Sequence, residues 1–330
     1  MKVAVLALDG VFGSGLSAIL DVLHSANAMR GELPQPPPEW DIRTVGFRRR
    51  VTTGVGHTVP TEPVGAVDDS DLVIVPAVTE RRPEALISYV SGNASGPARG
   101  LLAAIRAADT PIASACTGTF LLAESGVLDG QRATTSWWLS PVFRARYPAV
   151  RLDETSMVTV SGGITTAGAA FSHLDLALSV VRQASPTLAD LVSRYLVIDD
   201  RPSQAAYTIP AALAQSDPTV SAFERWAREH LHEPLVVSEA AAALGISERT
   251  LQRTVSRTLG TTPVRFVQDL RVEQASHLLR TTSLSLPAIA RRVGYENPGT
   301  LRLLLRNRAG TTATSLRGRA RDQDAGAGAE

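Results

Sequence analysis

Short continuous apolar runs alternate with helical periods over the first two hundred residues. Lys2–Leu8 reads as a buried strand. Leu16, Ile19, Leu20, Leu23 and Met29 then recur at helical spacing. A proline-rich loop, Pro34–Pro38, separates that helix from a strand over Asp41–Phe47. Asp71–Pro76 (DLVIVP) is an apolar run bounded by an acid and a proline, the pattern of a parallel strand buried on both faces. Gly100–Ala108 is helical, and Pro111–Cys116 (PIASAC) is a strand that runs straight into a helix over Gly118–Glu124. Beyond Trp137–Tyr147, strand-like pieces at Met157–Val160 and Ile164–Thr166 precede helices over Ala169–Gln183 and Thr187–Val197. Strands alternating with helices predict an α/β layered fold with a largely parallel sheet over residues 1–200.

Residues 201–216 have no clear period, and Pro202, Pro210 and Pro218 fall in or beside them, so they read as a linker. From Asp217 to residue 318 the pattern is helical throughout. Asp217-Pro218 and Asn297-Pro298 each supply a cap and a first-turn proline. Ser247 caps a helix that ends at Gly260, and Pro263–Arg280 is long and amphipathic, with Val267, Leu270, Ala275 and Leu278 on one face. The Gly/Ala-rich tail, residues 319–330, is expected to be disordered.

Charge sharpens this division. Residues 1–216 carry 17 basic and 20 acidic side chains, a balance of −3, whereas residues 235–321 carry 14 arginines against 5 acids, a balance of +9. Lys2 is the single lysine, so every other cation is an arginine. A basic carboxyl-terminal segment on a slightly acidic body points to a polyanion-binding module, although a solvated arginine surface would give the same count. The one cysteine, Cys116, excludes an intramolecular disulfide framework and a zinc site built from several thiolates, and no metal or other cofactor is expected. No apolar run approaches the ~20 residues needed to span a bilayer. A soluble, cytoplasmic protein with no membrane partner is therefore expected.

The helical region contains a repeat. Ser238–Leu244, Gly245, Ser247–Leu259 and Gly260 are echoed by Pro287–Val293, Gly294, Asn297–Arg308 and Gly310. Each copy is a short helix, a glycine turn and a second helix, the helix-turn-helix pattern. In the first copy Leu251, Val255 and Leu259 form the buried stripe, leaving Ser247, Arg249, Thr250, Gln252, Arg253, Ser256 and Arg257 outward. Arginine pairs bidentately with guanine and glutamine with adenine, while hydroxyls contact phosphate. In the second copy Leu301, Leu304 and Leu305 face inward, and Asn297, Thr300, Arg302, Arg306 and Asn307 are available outward. A single such unit also occurs in ordinary helical bundles; two copies with matched glycines and an arginine excess favour DNA binding.

Residues 217–318 resemble the AraC/XylS-type DNA-binding domain, through ISERTLQRTVSRTLGTTPVRFVQDLRVEQASHLL and IARRVGYENPGTLRLLLRNRAGTT. The resemblance implies seven helices and two recognition helices entering successive major-groove segments on one face of DNA. It carries base reading onto Arg249, Gln252 and Arg253, with Gly299 and Leu303 at the matching places of the second helix. The family often has arginine where Leu303 stands, and a proline and an aromatic where Ala313 and Leu316 stand. Most base specificity is thus expected from the first helix, with Arg302 and Arg306 gripping phosphate.

The strand-to-helix junction at Cys116 has the pattern of a nucleophile elbow, in which a residue is exposed at a strand's carboxyl end facing a helix N-terminus. Backbone N–H groups and the helix dipole there would favour a thiolate. With DLVIVP before it and LLAESGVLDGQRATTSWW after it, this stretch resembles the ThiJ/PfpI class of the glutamine-amidotransferase-like fold. That resemblance implies a flavodoxin-like three-layer α/β sandwich, followed here by an all-α domain with two helix-turn-helix units, the order found in the GlxA family of regulators. Enzymes of the class pair the elbow cysteine with a nearby histidine and often a carboxylate from the first-helix region. Here Thr117 follows the cysteine, Ser136 follows Thr134-Thr135, and Ser14 or Gly15 fills the carboxylate slot. His24, His57 and His173 are poorly placed as bases, so no catalytic residue is assigned. Asp9, Cys116, Thr117, Trp137 and Trp138 are the candidate lining of a ligand pocket, the tryptophan pair being suited to stack on a flat ligand or hold a cation.

These readings converge on a sequence-specific transcription regulator, with activation the favoured sign. Its expected partners are promoter DNA, a small-molecule effector, RNA polymerase and a second copy of the chain. A cysteine-dependent hydrolase or amidase with an accessory DNA-binding domain, an oxidation sensor at Cys116 and a nonspecific DNA-binding protein are the alternatives.

Overall fold

A computed structural model describes residues 1–215, 217–309 and 312–317. The expected tail at 319–330, and Gly310 of the second repeat, lie outside the described residues. The chain divides into two compact units, Met1–Gln204 and Ala205–Glu330.

The first unit runs β1 (Lys2–Leu6), α1 (Gly13–Met29), β2 (Asp41–Gly46), β3 (Arg50–Thr52), β4 (Thr58–Pro60), β5 (Glu62–Pro63), β6 (Leu72–Val75), α2 (Pro83–Ser91) and α3 (Gly96–Ala107). It continues with β7 (Ile112–Ala115), α4 (Gly118–Glu124), β8 (Arg132–Ala133), α5 (Ser140–Arg146), β9 (Arg151–Leu152), β10 (Val158–Ser161), β11 (Ile164–Ala167), α6 (His173–Ala184) and α7 (Pro186–Tyr195). The main sheet has the order β10-β11-β7-β6-β1-β2-β5. Every pair in it is parallel except β10 with β11. Reading outward from β1 in both directions gives the flavodoxin-like order, closed at one edge by an antiparallel strand.

Alternation along the strands builds two apolar layers. Val3, Val5 and Ile74 face Leu16, Ile19 and Leu23 of α1 and Leu176 and Val181 of α6. Ala4, Leu6, Val73 and Val75 face Leu86, Leu102, Phe120 and Phe143 on the other side. A strand buried on both faces has no polar positions to spare, which is why DLVIVP reads as a continuous run. The β3–β4 hairpin and α2 have no counterpart in the sequence reading: these elements are short and half exposed, and periodicity is weak in both.

The second unit is helical among its described residues: α8 (Pro210–Ala214), α9 (Pro218–Glu229), α10 (Val237–Ala243), α11 (Glu248–Leu259), α12 (Pro263–Thr281), α13 (Leu286–Arg292) and α14 (Pro298–Ala309), with residues 313–317 helical as well. It holds two separate apolar cores. One joins Phe223, Ala240, Leu251 and Val255 to Phe266, Val267 and Leu270 of α12. The other joins Ile289, Leu301 and Leu305 to Val272, Ala275, Leu278 and Leu279 of the same helix. The amphipathic α12 therefore lends its first half to one repeat and its second half to the other. The segment expected as a linker is shared out: Arg201–Gln204 bond into the first unit, while α8 packs on α9 and α12.

Candidate functional site

Both repeats build an exposed helix in the same way. In the first, α10 stops before Gly245, which holds φ at +67°, and Ser247 accepts the Thr250 N–H at 3.1 Å to start α11. Gly260, at φ +65°, closes α11 with a left-handed cap. In the second, Gly294 holds φ at +79° and the Asn297 carboxamide accepts the Gly299 N–H at 2.7 Å to start α14. A fifty-residue offset superposes the burial pattern: Leu251 and Val255 are fully buried, and so are Leu301 and Leu305.

That register fixes which side chains face solvent. Ser247, Arg249, Gln252, Arg253 and Arg257 are exposed on the first repeat and Thr250 is half-buried. Asn297, Gly299, Thr300, Arg302 and Arg306 are exposed on the second. Among the described residues, Arg249, Arg253, Arg302 and Arg306 have no ion-pair or hydrogen-bond partner for their guanidinium groups. Gln252 donates to Glu248 at 2.8 Å, and Arg257 pairs with Asp217, the cap of α9, at 3.4 Å. Arg257 is thus partly committed within the fold, whereas the guanidinium groups of Arg249, Arg253, Arg302 and Arg306 are left to solvent.

The two repeats are pinned together by groups the sequence reading missed. The buried Arg271, in the middle of α12, donates to the carbonyl of Glu233 and, at 3.4 Å, to that of Gly294. Its guanidinium carbon lies 5.0 Å from the Tyr295 ring centroid. A Cβ on Gly294 would lie 2.4 Å from the Leu231 carbonyl, so that glycine is required twice over, by conformation and by space. The available signal was an arginine adjoining the apolar stripe of an amphipathic helix.

In the first unit, Cys116 does sit at the junction of β7 and α4, with φ +57°, a left-handed conformation that a side chain adopts at a cost of about 1–3 kcal/mol. The elbow is therefore present, but its expected exposure and thiolate character are not. Cys116 is buried; its Sγ lies 2.8 Å from Ser136 Oγ, and its carbonyl accepts from Thr135 Oγ1 at 2.7 Å. Burial pushes the thiol above its ordinary range, and the hydrogen bond with Ser136 offsets this in part. The α4 N-terminus approaches so closely that a Cβ on Gly118 would lie 2.7 Å from the Pro76 carbonyl.

His173 lies inside the same unit and both its nitrogens are committed. Nε2 accepts from the Ala77 N–H at 3.1 Å, and Nδ1 donates to the Ala170 carbonyl at 2.5 Å. Burial lowers its pKa to about 4, so it is neutral at pH 7. Its ring also occupies the space a side chain at position 15 would need: a Cβ on Gly15 would lie 2.6 Å from Nε2.

The other pocket candidates are similarly engaged. Asp9 is exposed, accepting from Arg48 at 2.9 Å and from the Thr52 N–H at 3.0 Å. Thr117 is buried and both gives to and takes from the Val78 backbone, at 2.7 and 2.9 Å. Trp137 and Trp138 meet edge to face with centroids 5.5 Å apart, and Trp138 packs against both apolar layers. A further buried group escaped the sequence reading because it falls in the presumed linker. Gln204 Nε2 donates to Thr134 Oγ1 and to the Thr135 carbonyl, both at 3.0 Å. Thr135 in turn bonds Cys116, so the elbow is tied to the last residue of the first unit. Among the described residues, no group of three or more His, Cys, Asp and Glu could hold a metal, and no helix is long and apolar enough to cross a membrane.

Residues 240–319 match the family described as a helix-turn-helix domain. The HTH-type transcriptional regulator CdhR of Pseudomonas aeruginosa is 32% identical over 190 residues, 55% of this chain and 55% of that protein. The HTH-type transcriptional regulator GlxA of Rhizobium meliloti is 27% identical over 216 residues, 62% of this chain and 64% of that protein. The chain spans about half the length of the first of these curated relatives. A solved structure of a candidate transcriptional regulator from Vibrio parahaemolyticus shares the fold at TM-score 0.50 and 18% identity, covering 59% of this chain and 98% of that one.

Proposed function

We propose that this chain, whose residues 240–319 match a helix-turn-helix domain, is a one-component transcription regulator of the GlxA kind. The observation that carries the reading is the pair of capped, exposed helices α11 and α14, in one register on two cores that share α12, bearing unpaired Arg249, Arg253, Arg302 and Arg306. Unpaired guanidinium groups on a helix held by a glycine turn suit phosphate and guanine edges. Arg253, Arg249 and Gln252 read bases, Ser247, Thr250 and Arg257 support them at the backbone, and Asn297, Gly299, Thr300, Arg302 and Arg306 form the second contact surface. Promoter DNA, RNA polymerase and a second copy of the chain are the partners of this reading, and the cytoplasm is its setting. Activation is the sign of regulation it favours.

The first unit is read as a sensor of a small metabolite and not as an enzyme. His173 is neutral with both nitrogens bonded, Gly15 carries no carboxylate, and the Cys116 thiol is disfavoured as a thiolate. The same burial weighs against oxidation sensing. The strained backbone at Cys116 is the one feature that favours a hydrolase. A route from sensor to chain exit runs through Cys116, Thr135 and Gln204. An effector that changes the packing at the elbow shifts the population of arrangements at Gln204, and a coupling of about 1–3 kcal/mol makes a useful switch.

A genome-wide footprint of the bound protein tests the reading. Discrete protected sites upstream of genes, sharing a sequence, are expected. Coverage that follows DNA density with no shared sequence would overturn it. Loss of a hydrolytic activity on Cys116→Ala, with DNA binding retained, would favour the enzyme.

A further inference from the structure

The register between the repeats places Leu303 where the first recognition helix has Arg253, and Gly299 where it has Arg249. Gln252 corresponds to Arg302, Ser256 to Arg306 and Arg257 to Asn307. The buried pairs Leu251/Leu301 and Val255/Leu305 fix this alignment. Leu303 is therefore not a core residue that has slipped outward; it is 58% exposed at the centre of the outward face, with Arg302 and Arg306 along one side of it.

A lone exposed leucine is ordinary on a protein surface. This one has a shaped neighbourhood. A helical side chain leans over the turn that precedes it, so Leu303 lies toward position 299. Gly299 leaves a notch there, and the reason is local: a Cβ at 299 would lie 2.9 Å from Asn297 Oδ1, the atom that caps α14. The cap and the notch are one feature. The face thus combines an apolar knob, a recess beside it and two unpaired guanidinium groups along one edge. The basic edge fits a phosphate strand, and the knob has no hydrogen-bonding atom for a base edge. In the major groove, the one apolar group on base edges is the thymine C5-methyl.

We infer that the second recognition helix reads thymine through apolar contact between Leu303 and the C5-methyl group, while the first reads guanine or adenine by hydrogen bonds from Arg253, Arg249 and Gln252. The two half-sites then differ in kind. This rests on the DNA-binding reading above.

The test uses the full-length protein and a pool of random duplex DNA, from which bound sequences are selected at about 0.15 M salt, near physiological ionic strength. Enriched duplexes are resynthesised with uracil in place of single thymines, which removes only the methyl group. At one or two positions in the segment contacted by α14, uracil is expected to weaken binding about fourfold, the change that burial of one methyl-sized group corresponds to. Leu303→Ala should bind the thymine duplex with the same loss and show no further response to uracil. Leu303→Met should keep the thymine preference, and Leu303→Arg should move selection toward guanine at that position. Arg253→Ala should relax selection in the other segment and leave the uracil effect intact. If uracil at every such position changes binding less than 1.5-fold (roughly, against the fourfold expected), or weakens Leu303→Ala as much as the parent, the inference is wrong while DNA reading stands. If no sequence is enriched at all, both fall.

Discussion

In the first unit, the groups with reactive chemistry are buried and already satisfied; in the second, four arginines with recognition chemistry are exposed and unpaired. Cys116 is bonded to Ser136, His173 to Ala77 and Ala170, and Thr117 to Val78. Arg249, Arg253, Arg302 and Arg306 are left for an outside partner. The difference teaches how to weigh a suggestive residue. A histidine, a cysteine and a strained turn at a sheet's carboxyl edge describe an enzyme only if the histidine has a nitrogen to spare. Four guanidinium groups exposed on two helices built alike are open to an outside anion, because nothing among the described residues neutralises them.

The contrast can be broken first at His173. Its folded pKa, about 4, lies below its ordinary 6.5. Both states are neutral above pH 6.5, so the full stability is present there. As pH falls from 6.5 toward 4 the unfolded chain takes up the proton first, and stability declines by about 3 kcal/mol at 1.36 kcal/mol per unit. Chemical denaturation at a series of pH values measures this, and His173→Gln should flatten that window. An unchanged slope in the variant would free His173 for another role. Below pH 4 the ion-paired Asp153 and Glu124, held low by Arg132 and Arg146, add a further decline that the variant keeps.

The next test falls on the exposed side. Arg253→Ala should cost about 1–3 kcal/mol of discrimination between selected and altered duplexes, read by competition binding. Gln204→Leu strips a buried amide from the Thr135 carbonyl, and thermal or denaturant unfolding should show a loss of about 1–2 kcal/mol in the first unit. Arg302→Ala should weaken binding to all duplexes alike and lower the salt-dependence slope by about 1. The smallest effect is the sharpest negative: Arg249→Ala and Arg253→Ala should leave the unfolding free energy within about 0.5 kcal/mol of the parent, as for surface groups without partners. A larger loss would show that these arginines belong to the fold.

Much of this was legible along the chain. Continuous apolar runs gave β1 and β6, because a doubly buried strand favours apolar side chains throughout, while β7 buries Ser114 by donating its hydroxyl to the Val75 carbonyl. Cap residues gave α9, α11 and α14, because Asp217, Ser247 and Asn297 satisfy free N–H groups that any helix start exposes. What stayed hidden depends on contacts distant in sequence. Nothing near Gly15 announces the His173 ring against it, and Gln204 looks like linker until Thr134 and Thr135 are beside it. Leu303 was visible as a departure from arginine, but its exposure and the Asn297–Gly299 notch needed the register of both repeats. The elbow was read correctly in backbone and wrongly in environment, since the pattern PIASACTG fixes the turn and says little about what covers the sulfur.

Hydroxyl-radical footprinting of the full-length protein on a duplex selected from a random pool tests the central claim most directly. Two protected segments about one helical turn apart on one face of the duplex are predicted, with Arg253→Ala erasing discrimination in one and Leu303→Ala in the other. A single protected segment, or protection that moves freely with sequence, would contradict the account of two helices built alike and reading differently.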